Sequence, residues 1–321
     1  MGGVSMTAEQ HANLYEQHEW KHPTQVAGIP WKNPVATASG TFQYAAVRWF
    51  YDVSQLGAVT TKGVSPVPWE GNPGIRTAEG PSSNINAVGL QNPGVEHVIA
   101  HELPALRKIF HKPIIANISG FSVEEYVHCV ELLTKEEQVE ILEINISCPN
   151  VRHGGMAFGT NPDAAAEITR AVKQVATKPV YMKLSPNVTD ITVMAKAVED
   201  AGADAVSLIN TLTGMAIDIY TQKPLLGNIT GGLSGPAVKP VALRMVWQVA
   251  NAVKIPVLGL GGIASWQDAV EFMLAGASAV AVGAYNFVNP CAVEEIAEGM
   301  DAYCEKMGIS HISEIIGKIN D

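Results

Sequence analysis

The sequence predicts an α/β protein built as a (β/α)8 TIM barrel in a single domain. Two observations carry this prediction: short apolar runs recur eight times along the 321 residues, and each is followed by a segment with the helical spacing of apolar residues. Regular alternation of strands and helices is typical of a parallel sheet covered by helices. The count of eight favours a closed barrel over the alternative, a doubly wound open sheet.

The predicted strands are rich in β-branched residues and apolar almost throughout, as expected of strands buried on both faces. They cover residues 35–40, 58–64, 113–119, 141–147, 179–185, 205–211, 256–262 and 279–284. The predicted helices lie at about 45–56, 95–111, 122–138, 162–177, 189–202, 236–253, 265–276 and 290–307.

Two connections are too long for simple turns, namely 65–94 after the second strand and 212–235 after the sixth. We expect both to be long structureless loops, which in a barrel lie at the catalytic face when they follow a strand. Residues 1–22 are predicted to be a polar N-terminal extension with, at most, a short helix. Residues 23–321 then form the barrel domain, because no linker or low-complexity tract marks a second one.

Composition excludes several classes of protein. With 47% hydrophobic and 16% charged residues, the chain is not disordered, and a net charge of −10 disfavours nucleic acid as a partner. No apolar run approaches the length of a membrane span, and the N-terminus lacks the apolar core of a secretory signal. Four cysteines without metal-ligand spacing predict no metal site and a reducing, cytoplasmic location.

Polar residues stand at or near the ends of the predicted strands. An unpaired polar group there would cost about 1–3 kcal/mol, and in a barrel all these ends meet at one mouth. Any one of them could be a satisfied structural group, but the whole set predicts a polar ligand. The set comprises Ser39, Lys62, Asn117, Asn145, Lys183, Asn210 and Thr211.

The last two strands end in glycines, Gly261-Gly262 and Gly283. Main-chain N–H groups after the seventh and eighth strands of a barrel often bind a phosphate. Either glycine group alone indicates a tight turn, whereas the two together favour a phosphate site. The segment GLGG lacks the third glycine of a dinucleotide fingerprint, so a mononucleotide or sugar phosphate is favoured over NAD.

Two side chains could take part in chemistry. Lys183 could form a Schiff base or stabilise an anion such as a reduced flavin, and the neighbouring amides favour the flavin. Cys148 directly follows the fourth strand and could act as a base or nucleophile, the alternative being an inert buried thiol. Cys129, Cys291 and Cys304 are interpreted as inert.

Taken together, the motifs resemble those of class 1 dihydroorotate dehydrogenases, over about residues 26–300. Motifs matching that family in order and separation are NPVATASGTF, TTKGVS, NAVGLQNPG, NISCPN, KLSPNVTDI, INTLTGMAID, GGLSGPA, GLGGI and AGASAVAVG. Two segments, NISCPNVRHGG and GGLSGPAVKP, are most similar to the NAD-linked class 1B catalytic subunits. The resemblance implies an FMN-dependent enzyme that oxidises dihydroorotate to orotate in de novo pyrimidine (UMP) biosynthesis.

The resemblance also implies individual roles. Cys148 matches the base that removes the C5 proton, while FMN accepts the C6 hydride. The implied FMN contacts are Ser39, Lys62, Gly63, Asn117, Asn145, Lys183, Ile209, Gly235, Gly261, Gly262, Gly283 and Ala284. The implied substrate contacts are Lys62, Asn86, Ala87, Val88, Gly89, Leu90, Asn145, Asn150, Asn210 and Thr211.

Partners and alternatives follow from the same resemblance. It implies a homodimer and a separate subunit that carries FAD and a 2Fe–2S cluster and passes electrons to NAD. Ile75 and the Ser83-Asn84-Ile85 segment depart from the family pattern, which leaves dihydrouracil or dihydrothymine as alternative substrates. A non-catalytic flavin-binding barrel and a Schiff-base aldolase using Lys183 are the remaining alternatives.

Overall fold

The centre of the molecule is a barrel of eight parallel strands. The computed structural model describes residues 18–111, 113–147 and 158–320. In chain order the strands are β1 (Thr24–Val26), β2 (Ile29–Trp31), β3 (Val35–Thr37), β4 (Val59–Thr60), β5 (Thr77–Gly80), β6 (Ser83–Asn86), β7 (Ile114–Ile118), β8 (Ile141–Asn145), β9 (Val180–Lys183), β10 (Ala205–Leu208), β11 (Leu212–Met215), β12 (Ile217–Asp218), β13 (Lys223–Pro224), β14 (Thr230–Ser234), β15 (Val257–Leu260) and β16 (Ala279–Val282).

The strand order in the main sheet is β3-β16-β15-β10-β9-β8-β7-β4. Its two outer strands meet through a parallel bridge between Ala36 and Ala58, and the N–H of Gly57 donates to the carbonyl of Val35 at 3.0 Å. The sheet therefore closes on itself. The predicted (β/α)8 barrel is confirmed, and each predicted strand range contains one strand of this sheet.

The barrel strands carry two separate hydrophobic cores, because successive side chains point to opposite faces. On β8, Leu142 and Ile144 belong to the core between barrel and helices, whereas Ile141 belongs to the core inside the barrel. Glu143 and Asn145 share the inward face with Ile141. The barrel interior is thus apolar towards the strand starts and polar towards the strand ends.

A β-hairpin closes the N-terminal end of the barrel, and no strand was predicted there. It is formed by β1 and β2, whose Val26 and Trp31 are fully buried in the core inside the barrel. The hydroxyl of Tyr181 donates to the carbonyl of Val26 at 3.1 Å. Since this end is filled, the space for a ligand lies at the opposite end.

Helices follow most barrel strands within a few residues of the predicted ranges. They are α1 (Tyr44–Val47), α2 (Val95–His97), α3 (Leu103–Arg107), α4 (Val123–Leu133), α5 (Pro162–Val175), α6 (Ile191–Asp200), α7 (Lys239–Ala250), α8 (Trp266–Leu274) and α9 (Ala292–Met307). A π-helical segment, Val98–Glu102, joins α2 to α3. Throughout the described ranges, no helix is both long and apolar enough to cross a bilayer.

The predicted helix at 45–56 is wrong in its extent. Only α1 and a 3-10 turn, Val53–Gln55, form there. The helix ends at Val47, and Asp52 instead caps the 3-10 turn, where its carboxylate accepts from the N–H of Ser54 at 2.9 Å. Trp49 and Phe50 are more than half exposed, so the apolar residues of this stretch do not share one helix face.

The described part of the predicted N-terminal extension, residues 18–22, docks on α9. Asp301 is the anchor: its carboxylate lies 2.6 Å from Nδ1 of His22 and 3.1 Å from Nε2 of His18. Burial raises the pKa of Asp301, but the hydrogen bonds from His22 and His18 outweigh burial and hold that pKa below its usual value. This segment therefore contacts the barrel domain through buried polar contacts.

The two long connections are not structureless, contrary to the prediction. They contribute to one antiparallel sheet of order β11-β14-β6-β5. Strands β6 and β14 come from different connections and pair Ile85 with Leu233 and Asn86 with Gly232. Ile85, Ala87 and Leu226 form a small core of their own. This four-stranded sheet lies beside the open end of the barrel.

Candidate active site

A cavity of about 610 Å³ lies at the C-terminal ends of the barrel strands, bordered by the four-stranded sheet. Its volume is in the usual range for small-molecule sites. Most predicted site residues line it: Ser39, Lys62, Asn86, Ala87, Val88, Gly89, Leu90, Asn145, Lys183, Ile209, Asn210, Thr211, Gly235, Gly261, Gly262, Gly283 and Ala284. Gly63 and Asn117 are buried behind this wall. Cys148 and Asn150 lie outside the described residues.

Lys183 presents an ammonium group at the floor of the cavity. The residue is 4% exposed, and its Nζ donates to Oγ of Ser39 at 3.1 Å. The same Nζ lies 3.5 Å from Oε2 of Glu143. A buried cation needs such partners, because an unpaired one would lose its hydration without compensation. The contacts hold Lys183 as a fixed positive group facing the cavity.

Asn117 places a hydrogen-bond acceptor next to Lys183. Its Nδ2 donates to Oε2 of Glu143 at 2.5 Å, whereas its Oδ1 is buried without a hydrogen-bond partner in the part of the chain that the structure describes. A Cβ added to Gly63 would lie only 2.7 Å from this oxygen. Any side chain at position 63 would therefore collide with Oδ1 of Asn117.

A second polar cluster at the mouth of the barrel is formed by the side chains of Asn145, Ser147 and Asn210. Oδ1 of Asn145 accepts from Oγ of Ser147 at 2.7 Å and from Nδ2 of Asn210 at 3.2 Å. Oδ1 of Asn210 in turn accepts from the N–H of Thr211 at 2.7 Å. Amides held in this way offer both donors and acceptors to a ligand.

Lys62 supplies a second positive charge, at the end of β4. Burial, together with the neighbouring Lys183 ammonium, lowers the pKa of Lys62 below its usual value. Two ammonium groups at one cavity favour an anionic ligand, since a negative charge would relieve their mutual repulsion. This local charge is opposite to the net charge of the chain.

Glycines form the cavity wall after β15 and β16, where a phosphate site was predicted. Gly261 and Gly262 adopt φ values of +124° and +80°, which disfavour any other residue. A Cβ added to Gly262 would lie 2.5 Å from the backbone nitrogen of Lys239, at the start of α7. Both glycines line the cavity, and at Gly262 the start of α7 leaves no room for a side chain.

Several wall residues were not singled out from the sequence. The four-stranded sheet contributes Thr77 and β14, and the loops after β3 and β16 contribute Thr41, Tyr285 and Phe287. Behind the wall, Glu143 contacts both Lys183 and Asn117. An acidic residue inside the apolar run ILEINIS was the available signal for Glu143. Thr77 and the residues of β14 carried no comparable signal.

Comparisons with known proteins agree with this geometry. The model of the dihydroorotate dehydrogenase family matches residues 22–303. A relative from Geotalea uraniireducens (strain Rf4), the catalytic subunit of dihydroorotate dehydrogenase B (NAD(+)), is 55% identical over 296 residues, which cover 92% of this chain and 97% of the relative. Proteins with the same description from Parabacteroides distasonis and Geobacillus kaustophilus are 53% and 54% identical and also cover 92% of this chain, with 97% and 94% of their own lengths.

Proposed function

Because the chain belongs to the dihydroorotate dehydrogenase family, we propose that it oxidises dihydroorotate to orotate with FMN as its cofactor, in de novo pyrimidine biosynthesis. One observation carries the proposal beyond the family: a single cavity joins two ammonium groups, Lys62 and Lys183, to the amides of Asn145 and Asn210. Dihydroorotate carries a carboxylate together with ring carbonyl and N–H groups. Fixed cations and amides match those groups in charge and in hydrogen-bonding capacity.

Residues of this chain fit FMN in three respects. Asn117 holds a buried acceptor without a partner among the described residues, which suits a ring N–H. Lys183 places a positive charge on the cavity wall, which would stabilise the negative charge of a reduced flavin. Gly262 and Gly283 border the cavity with main chain at the phosphate position of barrel enzymes. When bound, FMN would supply the hydride acceptor.

The chain's own residues then bind and orient the substrate. Lys62 attracts the carboxylate, and Asn145 and Asn210 fix the ring through their amides. Asn86 is held by its Nδ2, which donates to the carbonyl of Gly232 at 3.3 Å and thus ties substrate-facing β6 to β14. The four-stranded sheet limits the access of water to this side of the cavity. Cys148 remains the proposed base for the C5 proton.

Anaerobic titration of the purified yellow protein with dihydroorotate tests the proposal. We expect the visible flavin absorbance to bleach with one equivalent of substrate per flavin. Cys148→Ala should retain FMN but bleach far more slowly, because the C5 proton then lacks its acceptor. Equal bleaching rates in parent and variant would overturn the role of Cys148. A parent protein that binds no flavin would overturn the whole proposal.

Electron transfer to NAD is proposed to need a second subunit. The relatives described above are named as catalytic subunits of an NAD(+) enzyme, and this sequence contains no dinucleotide fingerprint. We propose that the partner carries FAD and a 2Fe–2S cluster and that the catalytic chain forms a homodimer within the assembly. NAD reduction by this chain alone would contradict the requirement for the partner.

Dihydrouracil is the second candidate substrate, favoured by one observation. Asn84, part of the segment that departs from the family pattern, lies on the cavity wall. Dihydrouracil has no carboxylate and would leave Lys62 without an anionic partner, which is why dihydroorotate is preferred here. Comparing the rates of flavin reduction by the two compounds under the same anaerobic conditions separates the candidates.

A further inference from the structure

Glu143 is a buried acidic residue inside the barrel. It lies in the middle of β8 and is 2% exposed. In the strand register Glu143 stands opposite Asn117 on β7. Asn145, the next residue on the same face of β8, stands opposite Lys183 on β9. Burying a carboxylate in such a position costs free energy unless each oxygen has a hydrogen-bond or ionic partner. The partners of Glu143 therefore indicate its role.

Three donors surround the two carboxylate oxygens. Oε1 accepts from the hydroxyl of Ser207 at 2.7 Å. Oε2 accepts from Nδ2 of Asn117 at 2.5 Å and lies 3.5 Å from Nζ of Lys183. Two of these three partners belong to the proposed FMN site, whereas Glu143 itself stands behind the cavity wall.

The first contact fixes the direction of the Asn117 amide. A carboxylate accepts hydrogen bonds and cannot donate one, so only the NH2 end of the amide can face it. The oxygen of Asn117 must then point away from Glu143, and it is left without a partner among the described residues. Glu143 thereby determines that Asn117 offers an acceptor rather than a donor.

The second contact sets the charge of the site. Lys62 and Lys183 are both positive and influence each other, since Lys183 contributes to lowering the pKa of Lys62. The carboxylate of Glu143, which is not among the residues lining the cavity, offsets the charge of Lys183. One net positive charge then remains among these three groups to attract an anion.

We propose that Glu143 is a positioning residue for the cofactor site: it orients the Asn117 amide and balances the charge of Lys183 without contacting the ligand. This inference rests on the proposed function, because the ligand it prepares the site for is FMN. It predicts that FMN affinity and the potential of the bound flavin both depend on Glu143.

The test uses FMN binding to the flavin-free protein, measured by quenching of FMN fluorescence. Glu143→Gln replaces two acceptor oxygens by one oxygen and one NH2 group, so the side chain at 143 no longer forces the Asn117 amide into one orientation, and Lys183 loses its counter-charge. We expect FMN to bind at least about tenfold more weakly, the effect of losing one hydrogen bond in a charged setting. Glu131→Gln, at an exposed position of α4, is the matched control and should bind FMN as the parent does.

The midpoint potential of the bound flavin provides a readout that a merely structural role would not move. Glu143→Gln removes one negative charge beside the site, and reduction adds negative charge to the flavin. The potential should therefore rise relative to the parent and to Glu131→Gln. Because the inference requires both quantities to change, an unchanged affinity or an unchanged potential would overturn it.

A double variant provides a rescue. In Glu143→Gln combined with Asn117→Asp, the amide and the carboxylate exchange places, so position 117 again offers an acceptor and the net charge is restored. FMN affinity and potential should return towards the parental values. A double variant that binds FMN no better than Glu143→Gln would refute positioning through Asn117.

Failure of the inference and failure of the proposed function give different results. A parent protein that does not bind FMN refutes the function, whereas tight binding by both parent and Glu143→Gln refutes only the role of Glu143. Circular dichroism checks that each variant folds. If Glu143→Gln does not fold, Glu143→Asp is tested instead: its carboxylate keeps the charge but is one methylene shorter and so withdraws from Asn117 and Lys183. An FMN affinity unchanged from the parent in that variant overturns the role.

Discussion

Nζ of Lys183 and Oε2 of Glu143 lie 3.5 Å apart inside the barrel, and both residues are almost completely buried. Because both groups are largely removed from solvent, each charge depends on the other and on its hydrogen-bond partners. A buried pair of this kind adds little net stability when intact but is costly to break from one side. The pair therefore makes the proposed cofactor site sensitive to single substitutions.

Replacing Lys183 by methionine removes the cation but keeps most of the side-chain length. The carboxylate of Glu143 would remain buried without a counter-ion, so we expect the free energy of unfolding to fall by about 3–5 kcal/mol. Urea unfolding at neutral pH measures this. Lys306→Met, at an exposed position in α9, is the control and should change stability by less than about 0.5 kcal/mol. A similar small effect for Lys183→Met would contradict the prediction.

Gly262 and Gly308 form a matched pair for testing close approach at the predicted phosphate site. Both have positive φ, +80° and +68°, but an added Cβ meets the backbone of Lys239 only at Gly262 and has open space at Gly308. Gly308→Ala should cost about 1 kcal/mol from backbone strain alone. Gly262→Ala should cost about 1–3 kcal/mol more and weaken FMN binding. Equal losses of stability with unchanged FMN affinity would exclude a special role for Gly262.

The four-stranded sheet is predicted to depend on its own small core. Ile85→Ala should destabilise that sheet by about 2–5 kcal/mol, because Ile85 is buried against Ala87 and Leu226. Hydrogen exchange of the β6 and β14 amides should then accelerate, while exchange in the barrel strands stays slow. Ile217→Ala, at a side chain that is 57% exposed, is the control. Uniform acceleration over the whole chain would mean that this sheet does not open separately.

Glu294 on α9 is predicted to make stability depend on pH. Burial, reinforced by Glu298 and Asp52, raises the pKa of Glu294 from 4.5 to about 7. The folded protein thus binds this proton more tightly than the unfolded chain, and the stabilisation present below pH 4.5 is lost as pH rises to about 7.

Glu294→Gln removes this loss of stability at higher pH, because the side-chain amide does not ionise. The variant should be about 1 kcal/mol more stable than the parent at pH 8, a value reduced for partial solvent screening, and equal to it at pH 4. Thermal unfolding of both proteins at the two pH values measures the difference. Glu131→Gln should show no such divergence, and a gain at pH 4 as large as that at pH 8 would contradict the assignment to Glu294.

Local pattern was sufficient to predict the barrel and the polar residues and glycines at its strand ends, whereas other wall residues were inferred only from the family resemblance. Buried strands such as β8 are continuous apolar runs, and the ends of parallel strands share one edge of the sheet. Polar residues at those ends, such as Lys183 and Asn145, could therefore be assigned to one site before their distances were known. The helix at 45–56 was overextended because apolar content there did not reveal that Trp49 and Phe50 are exposed.

The four-stranded sheet could not be predicted in the same way. Its strands β6 and β14 are short, lie far apart in the chain and include Gly231 and Gly232, which have low strand propensity. Their pairing depends on the closed barrel, which brings the connections after the second and sixth strands together. The periodicity of apolar residues describes a single strand or helix, and it does not show which distant strand will pair with it.

The sequence by itself determined the barrel, the family and the set of residues at the mouth, because strand period and motif spacing are local properties. Only the tertiary structure decided how those residues act on each other. It showed that Glu143 faces both Asn117 and Lys183, that the Asn117 oxygen has no hydrogen-bond partner among the described residues, and that β6 pairs with β14 at the cavity. These relationships join residues from different strands, and the direction of a hydrogen bond or the pairing of two charges exists only once the barrel has closed.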